Sequence, residues 1–292
     1  MTITPDIYIN AASMVCCREN PLTDRSPLVG CHRAIEPDTR GILKPMEARR
    51  LSRILRRALY TSRAVAPDGA DAVITATAMG CWENSERFLT DIRDGGEQLL
   101  KPTLFMQSTH NTPGAVIAIN MGCHGYNNTW SQGLFSSESA LLDAAMTLAE
   151  EPDTDTVIVG AHDELTPVEA GIMVRGGLVD GFVSEASVSL LLSRHPGACA
   201  CRFDSLELVS AAEFGGAECD ILVLANASAG DIAARISSRH VIRSEEIVGH
   251  TMTPSAPALY MAYRYLTDGD ACNALIATGD GEMLSLIRLS NV

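Results

Sequence analysis

The sequence predicts an α/β protein built as two similar strand–helix–strand halves, the second one abbreviated. Three observations carry this. Residues 71–79 (DAVITATAM) and 220–226 (DILVLAN) are strand-length runs, mostly apolar, as in strands of a sheet covered on both faces. Such runs alternate with segments of helical period. The order strand, helix, strand, helix, paired strand occurs once before about residue 195 and again, shorter, after it. The expectation is one compact unit with halves at 1–195 and 196–292.

The elements follow in order. Residues 7–13 alternate loosely and read as a first strand, followed by about thirty residues of Pro, Asp, Gly and Cys that read as an irregular surface excursion. From Pro45 onward, Met46, Leu51, Ile54, Leu55, Ala58 and Leu59 form one helical stripe opposite the arginines, which predicts a long amphipathic helix. The strand at 71–79 turns at Gly80 into a polar helix through Phe88 and Leu89 that ends at Gly95-Gly96. The stretch 107–165 organises the rest: a helix-like segment, a Gly125-Tyr126-Asn127 turn, a short strand, a glycine elbow, a small-residue helix and an apolar strand.

Beyond it, Gly171, Gly176 and Gly177 mark a linker, and 186–193 is another strand. Pro196 opens a turn between the halves. Residues 203–211 alternate as a strand, 220–226 form an apolar strand and 229–236 a short helix. A helix at 255–266 precedes a closing hairpin, 273–278 with 283–289, turned at Gly279-Asp280-Gly281.

Composition narrows the function. With 292 residues, 46% hydrophobic and 20% charged, the chain reads as a soluble globular protein with a sizeable core. A net charge of −14 argues against nucleic acid and anionic membranes as partners. One basic run, Arg49 to Arg57, stands against that balance and reads as an exposed helix face or as a docking site for an acidic partner. No run approaches a membrane span, the start is not a secretion signal, and the expected location is cytoplasmic. Nine cysteines without paired metal spacing call for neither a disulfide framework nor a zinc site. No metal or nucleotide cofactor is implied.

Several short motifs occur in a telling order: Gln107-Ser108-Thr109-His110-Asn111, Gly125-Tyr126-Asn127, 138–144 (ESALLDA), Asp180-Gly181-Phe182-Val183 and Gly249-His250-Thr251. Over nearly its whole length the chain resembles the thiolase-fold β-ketoacyl-[acyl-carrier-protein] synthases. It looks most like the short synthase-like subunits of aryl polyene and flexirubin-type pathways. The resemblance implies a layered α-β-α-β-α fold that works as a dimer.

An active member of that family is expected to carry a cysteine at the elbow before the small-residue helix, where the helix N-terminus lowers the thiol pKa, and two assisting histidines. Here the elbow position falls on Leu134 or Phe135, and no cysteine lies between Cys123 and Cys199. His250 is retained, whereas Asn226 lies near the place of the other histidine. Ser136 and Ser137 follow the elbow, but no orienting third group for a serine nucleophile is identifiable, so 136–139 read as helix caps. His110, His124 and His162 read as satisfied polar contacts, and the neighbours Asp163 and Glu164 point apart in an extended chain.

The resemblance thus implies an inactive subunit, a chain-length factor, paired with an active ketosynthase whose acyl tunnel it shapes, with acyl carrier protein an indirect partner. Trp82, Phe88, Phe105, Met106 and Thr109, with Leu134 and Phe135, are the tunnel or interface candidates, and 113–118 is expected at the dimer contact. The competing expectations are an acyl-thioester hydrolase or acyltransferase using Ser137 and His250, and a homodimeric acyl-binding protein.

Overall fold

The computed structural model describes residues 2–98, 100–177, 179, 182–269 and 271–292. Strands β1 (Thr2–Ile3) and β2 (Ile7–Val15) open the chain, and a short β3 (Gly30–His32) interrupts the irregular excursion. Helices α1 (Pro45–Ala48) and α2 (Arg53–Val65) lead to β4 (Ala72–Ala76). Three helices follow, α3 (Trp82–Gly95), α4 (Pro102–Met106) and α5 (Thr112–Met121), and then β5 (Asn127–Trp130). Next come α6 (Ser136–Glu150), β6 (Thr156–His162), α7 (Pro167–Arg175), β7 (Phe182–Ser184) and β8 (Ser187–Ser193). The remainder runs β9 (Cys201–Ser210), β10 (Ala217–Leu224), a 3-10 helix (Ala227–Arg235), β11 (Ile236–Arg243), α8 (Ser244–Val248), α9 (Ser255–Asp268), β12 (Asn273–Gly279) and β13 (Met283–Asn291).

The duplication inferred from element order is visible in the topology. Strands β2, β4, β5, β6 and β8 lie side by side as β5-β4-β6-β8-β2, and β9 to β13 repeat that arrangement as β11-β10-β12-β13-β9. In each set the three outer strands are parallel and the two inner junctions antiparallel. The first strands of the two sets, β2 and β9, pair antiparallel at Ile7–Phe203 and Ile9–Cys201 and join everything into one sheet.

Side chains alternate between two apolar layers, as sheets covered on both faces require. On the inner side Ile74, Val159, Val223 and Ile276 pack with Leu141 and Leu148 of α6 and Leu259 and Leu266 of α9, so α6 and α9 form the central helical layer. On the outer side Val73 and Ile158 meet Leu59 of α2 and Ile117 of α5, while Leu222 and Leu275 meet Ile232 of the 3-10 helix. That 3-10 turn replaces the outer α-helices of the first set, which is the abbreviation seen in the sequence.

Three expectations change. The single helix from Pro45 is two, because residues 49–52 leave helical geometry and Ser52 starts α2 afresh; Met46 is exposed, off the core stripe. Gly171 and its neighbours form no linker: Pro167 and the Thr166/Glu169 capping box start α7, which runs through Gly171. Strand β11 (ISSRHVIR) is absent from the sequence reading, because an edge strand needs few apolar residues and this one is mostly polar.

Candidate functional site

The elbow leads from β5 into α6 through a 3-10 turn, Gly133–Phe135, entered at a left-handed Gly133. Leu134 lies within that turn and Phe135 at the N-cap of α6, both half-buried. The serines that follow do not cap the helix, because Phe135 holds the N-cap without a side-chain bond. Instead Ser136 Oγ accepts from Gln132 N at 2.9 Å and donates to Gly133 O at 2.7 Å and Thr77 O at 3.1 Å, tying the elbow to the end of β4. Ser139 Oγ donates back to Phe135 O at 3.1 Å.

Ser137 points inward. Its Oγ is buried and has no hydrogen-bond partner, and it borders a void of about 10 Å³ lined by Leu141, Val159, Leu190 and Leu259. Such a space holds about one water and no acyl chain.

Next to it, Glu138 sits buried between the starts of α6 and α9. Ser255 Oγ of α9 donates to its Oε1 and is 3.0 Å from Thr278 Oγ1. Burial raises the Glu138 pKa to about 6, against the pull of the hydroxyls around it.

His250 lies half-buried on the loop after α8, and its Nδ1 is 2.7 Å from Glu245 Oε1. The other oxygen of Glu245 accepts from Ala227 N at 2.7 Å, which brings the loop carrying Asn226 beside His250. Asn226 clamps the end of β12, donating to Gly279 O at 2.6 Å and accepting from Gly279 N at 3.1 Å. Gly249 has φ +83°, and a Cβ there would come within 2.6 Å of the Phe182 ring, so both backbone and space require glycine before His250. Of the motif at 180–183, Asp180 and Gly181 lie outside the described residues; Phe182 O accepts from His250 N at 2.8 Å.

Glu245 was invisible to motif reading. Its only sequence signal is a carboxylate five residues before the histidine, across a helix too short to show a period. It gives His250 the orienting carboxylate that a base needs. Ser137 Oγ, having no partner, is not hydrogen-bonded to that histidine.

Asp163 and Glu164 do diverge. Asp163 Oδ1 accepts from Thr77 Oγ1 (2.7 Å), Ala78 N (2.9 Å) and Met79 N (3.2 Å), and Oδ2 from Thr253 Oγ1 (3.0 Å), so it is a buried structural hub. Glu164 accepts from Glu83 N at 2.8 Å and leaves its second oxygen unpartnered. His162 is buried, with Nδ1 2.6 Å from Ser187 Oγ and Nε2 unpartnered; burial pushes its pKa down to about 3, and it stays neutral. His110 is exposed over Gly80, and His124 is exposed.

The tunnel candidates divide. Phe105 and Met106 on α4 are 62% and 73% exposed, and Phe88 of α3 packs on Phe105 with ring centroids 5.6 Å apart. Thr109 is exposed and bonds Asn111 and Thr112. Trp82 is half-buried, its Nε1 buried and unpartnered. In the 113–118 segment Pro113, Gly114, Ile117 and Ala118 are buried within their own chain, packed toward α2 and β4, and only the adjoining Ile119 stands fully outside.

The basic run is not one exposed face. Arg57 is fully buried and paired with Glu185, Arg53 pairs with Glu83 at 3.1 Å and Arg56 with Glu36 at 3.3 Å, while Arg49 and Arg50 remain exposed.

Residues 26–170 match the family model for the beta-ketoacyl synthase N-terminal domain. No curated protein matches the sequence. Among solved structures, a chain of AntDE:AntF, a type II PKS acyl-carrier protein in complex with its ketosynthase bound to the hexaketide, superposes with TM-score 0.81 at 10% identity, over 99% of this chain and 100% of that one. The ishigamide ketosynthase/chain length factor gives 0.73 at 16% identity, over 98% and 99%. A beta-ketoacyl synthase from Burkholderia phymatum STM815 gives 0.73 at 12% identity, over 99% and 100%. The chain therefore has the fold of the ketosynthases, and its residues 26–170 are similar to their N-terminal domain. Among the described residues no helix is long and apolar enough to cross a membrane, and no cluster of three His, Cys, Asp or Glu could hold a metal.

Proposed function

We propose that this chain is a catalytically silent, chain-length-factor-type subunit. It pairs with an active ketosynthase and shapes the acyl tunnel used in decarboxylative condensation, in polyketide, aryl polyene or fatty-acid-like biosynthesis in the cytoplasm. Residues 1–195 and 196–292 act as two halves of one unit, and carrier protein reaches it through the partner. The observation that carries the reading is the elbow: Leu134 and Phe135 occupy the turn leading into α6, where neither side chain can form a thioester. The void of about 10 Å³ beneath it supports the same view, since it is too small to hold an acyl chain. That also weighs against a homodimeric acyl-binding protein.

The pairing surface is assigned to the β5 side. Strand β5 is an open sheet edge, and Ile119 and Tyr126 are exposed beside it. Phe105 and Met106 supply exposed apolar side chains to reach a partner's tunnel. The Glu245–His250 pair is the one feature favouring the hydrolase reading, and the isolated Ser137 weakens it.

Co-expression with an active ketosynthase encoded beside this chain, with mass determination and product analysis, tests the proposal. A one-to-one complex is expected, whose product length shifts when Phe105→Ala is introduced without loss of the complex. A chain that elutes alone and leaves the partner's products unchanged refutes it. Thioester hydrolysis by the purified chain, abolished in His250→Ala, would establish the rival.

A further inference from the structure

The opposite edge of the sheet carries a second candidate contact, independent of the function proposed above. Strand β11 is the topological counterpart of β5, the third strand of its set, and among the described residues it too ends the sheet with one side unpaired. Beside it lies a cleft of about 950 Å³ whose floor includes Ile221 and Ile242 and whose rim includes Arg25, Arg239, His240 and Arg243. Val241, between two of these arginines, is 49% exposed.

The charges are placed for an incoming strand. Arg239 is 77% exposed and only loosely held by Asp220 at 3.3 Å; Arg243 is 3.6 Å from an exposed Glu246. Across the cleft Arg25 is exposed and contacts Tyr265 OH at 3.4 Å. Asp220 and Glu246 line the cleft too, but the three arginines outnumber them in a chain of net charge −14, so an acidic ligand is repelled elsewhere and drawn here. Charged residues on an open edge normally prevent indiscriminate strand pairing. Arginines reject neutral and basic strands while leaving acidic ones acceptable, which turns protection into selection.

We propose that the β11 edge binds an extended acidic segment of a partner polypeptide by strand addition. The segment's backbone pairs with the free side of β11, its carboxylates meet Arg239, Arg243 and Arg25, and an apolar side chain settles over Ile242.

End-capped, fluorescein-labelled eight-residue peptides, one alternating Glu with Val and one Lys with Val, titrated with the intact chain by fluorescence anisotropy, test this. The Glu–Val peptide is expected to bind, to weaken with salt, and to lose about tenfold in affinity in the Arg239→Glu/Arg243→Glu variant. Backbone amides of 236–243 are expected to exchange more slowly in the complex. The proposal is overturned by absent binding, by equal binding of the Lys–Val peptide, by an unchanged affinity in a variant whose thermal unfolding matches the parent, or by exchange that does not slow.

Discussion

Arg57 is the largest fully buried side chain among the described residues, and its partner Glu185 is equally buried. Glu185 holds more than the arginine: it accepts from Ala34 N at 3.0 Å and Leu165 N at 2.6 Å, which fixes the excursion after β2 to the end of β6. A buried ion pair adds little over an apolar pair of the same shape, but losing one partner strands a charge. Arg57→Met is therefore expected to cost about 3–5 kcal/mol in urea unfolding. Adding Glu185→Gln should restore more than half, because the amide oxygen still accepts from a backbone N–H while the orphaned charge is gone. If the double variant is no more stable than Arg57→Met alone, the stranded charge is not the cause. In sequence Arg57 looked like one more member of a basic face. Its position three residues after Ile54 placed it on the buried stripe, but helical period alone does not show that a buried acid awaits it from 128 residues away.

At the scale of elements, β5 shows how a short polar strand is held. Tyr126, Asn128 and Trp130 alternate onto α6, where all three donate to one oxygen of Asp143, at 3.3, 2.9 and 2.7 Å. Asn127 and Thr129 face the other way, Asn127 donating to Gly114 O at 3.0 Å and Thr129 Oγ1 lying 2.7 Å from Thr75 Oγ1. That a short strand follows the Gly125-Tyr126-Asn127 turn was legible in the sequence; the shared carboxylate was not, since it belongs to the next helix. Asp143→Ala leaves these donors without their acceptor and should destabilise the protein by about 1–3 kcal/mol. It should also loosen β5, so that backbone amides at 127–130 exchange faster than in the parent while those of β12 do not. Uniform acceleration across the sheet would mean that Asp143 supports the fold generally rather than this edge. The same contrast separates what the sequence revealed from what it hid. Strands β4, β6 and β10 announced themselves as apolar runs and β12 as one arm of a hairpin, whereas the mostly polar β11, laddered to β10, did not.

The whole molecule is organised about α6 and α9, which pack between two strand sets of identical topology. Element order in the sequence was enough to reveal that duplication, but not the carboxylates sealed inside it. Burial raises Glu138 to about 6 and Glu164 and Glu169 each to about 7, and pushes Asp163 upward as well. A carboxyl group whose folded pKa exceeds its unfolded value of about 4.5 favours folding while protonated. Its stabilisation is complete below that unfolded value and is lost as pH rises through 6 and 7, on the order of 1–3 kcal/mol for each group. Glu185 runs the other way: its pKa is lowered, with Arg57 the main favourable influence opposing burial, so its contribution is present above the unfolded value and lost in acid. Self-repulsion at net charge −14 adds to the loss on the alkaline side. The melting temperature is therefore expected to peak at about pH 5 and to fall steadily toward pH 8. Replacing Glu138, Glu164 and Glu169 by Gln should flatten that descent while leaving the acid limb in place, because Glu185 is untouched. Differential scanning fluorimetry from pH 4 to 8 at constant ionic strength checks both limbs. A melting temperature that climbs from pH 5 to 8, or a triple variant that descends as steeply as its parent, would show that these buried acids do not govern the alkaline limb.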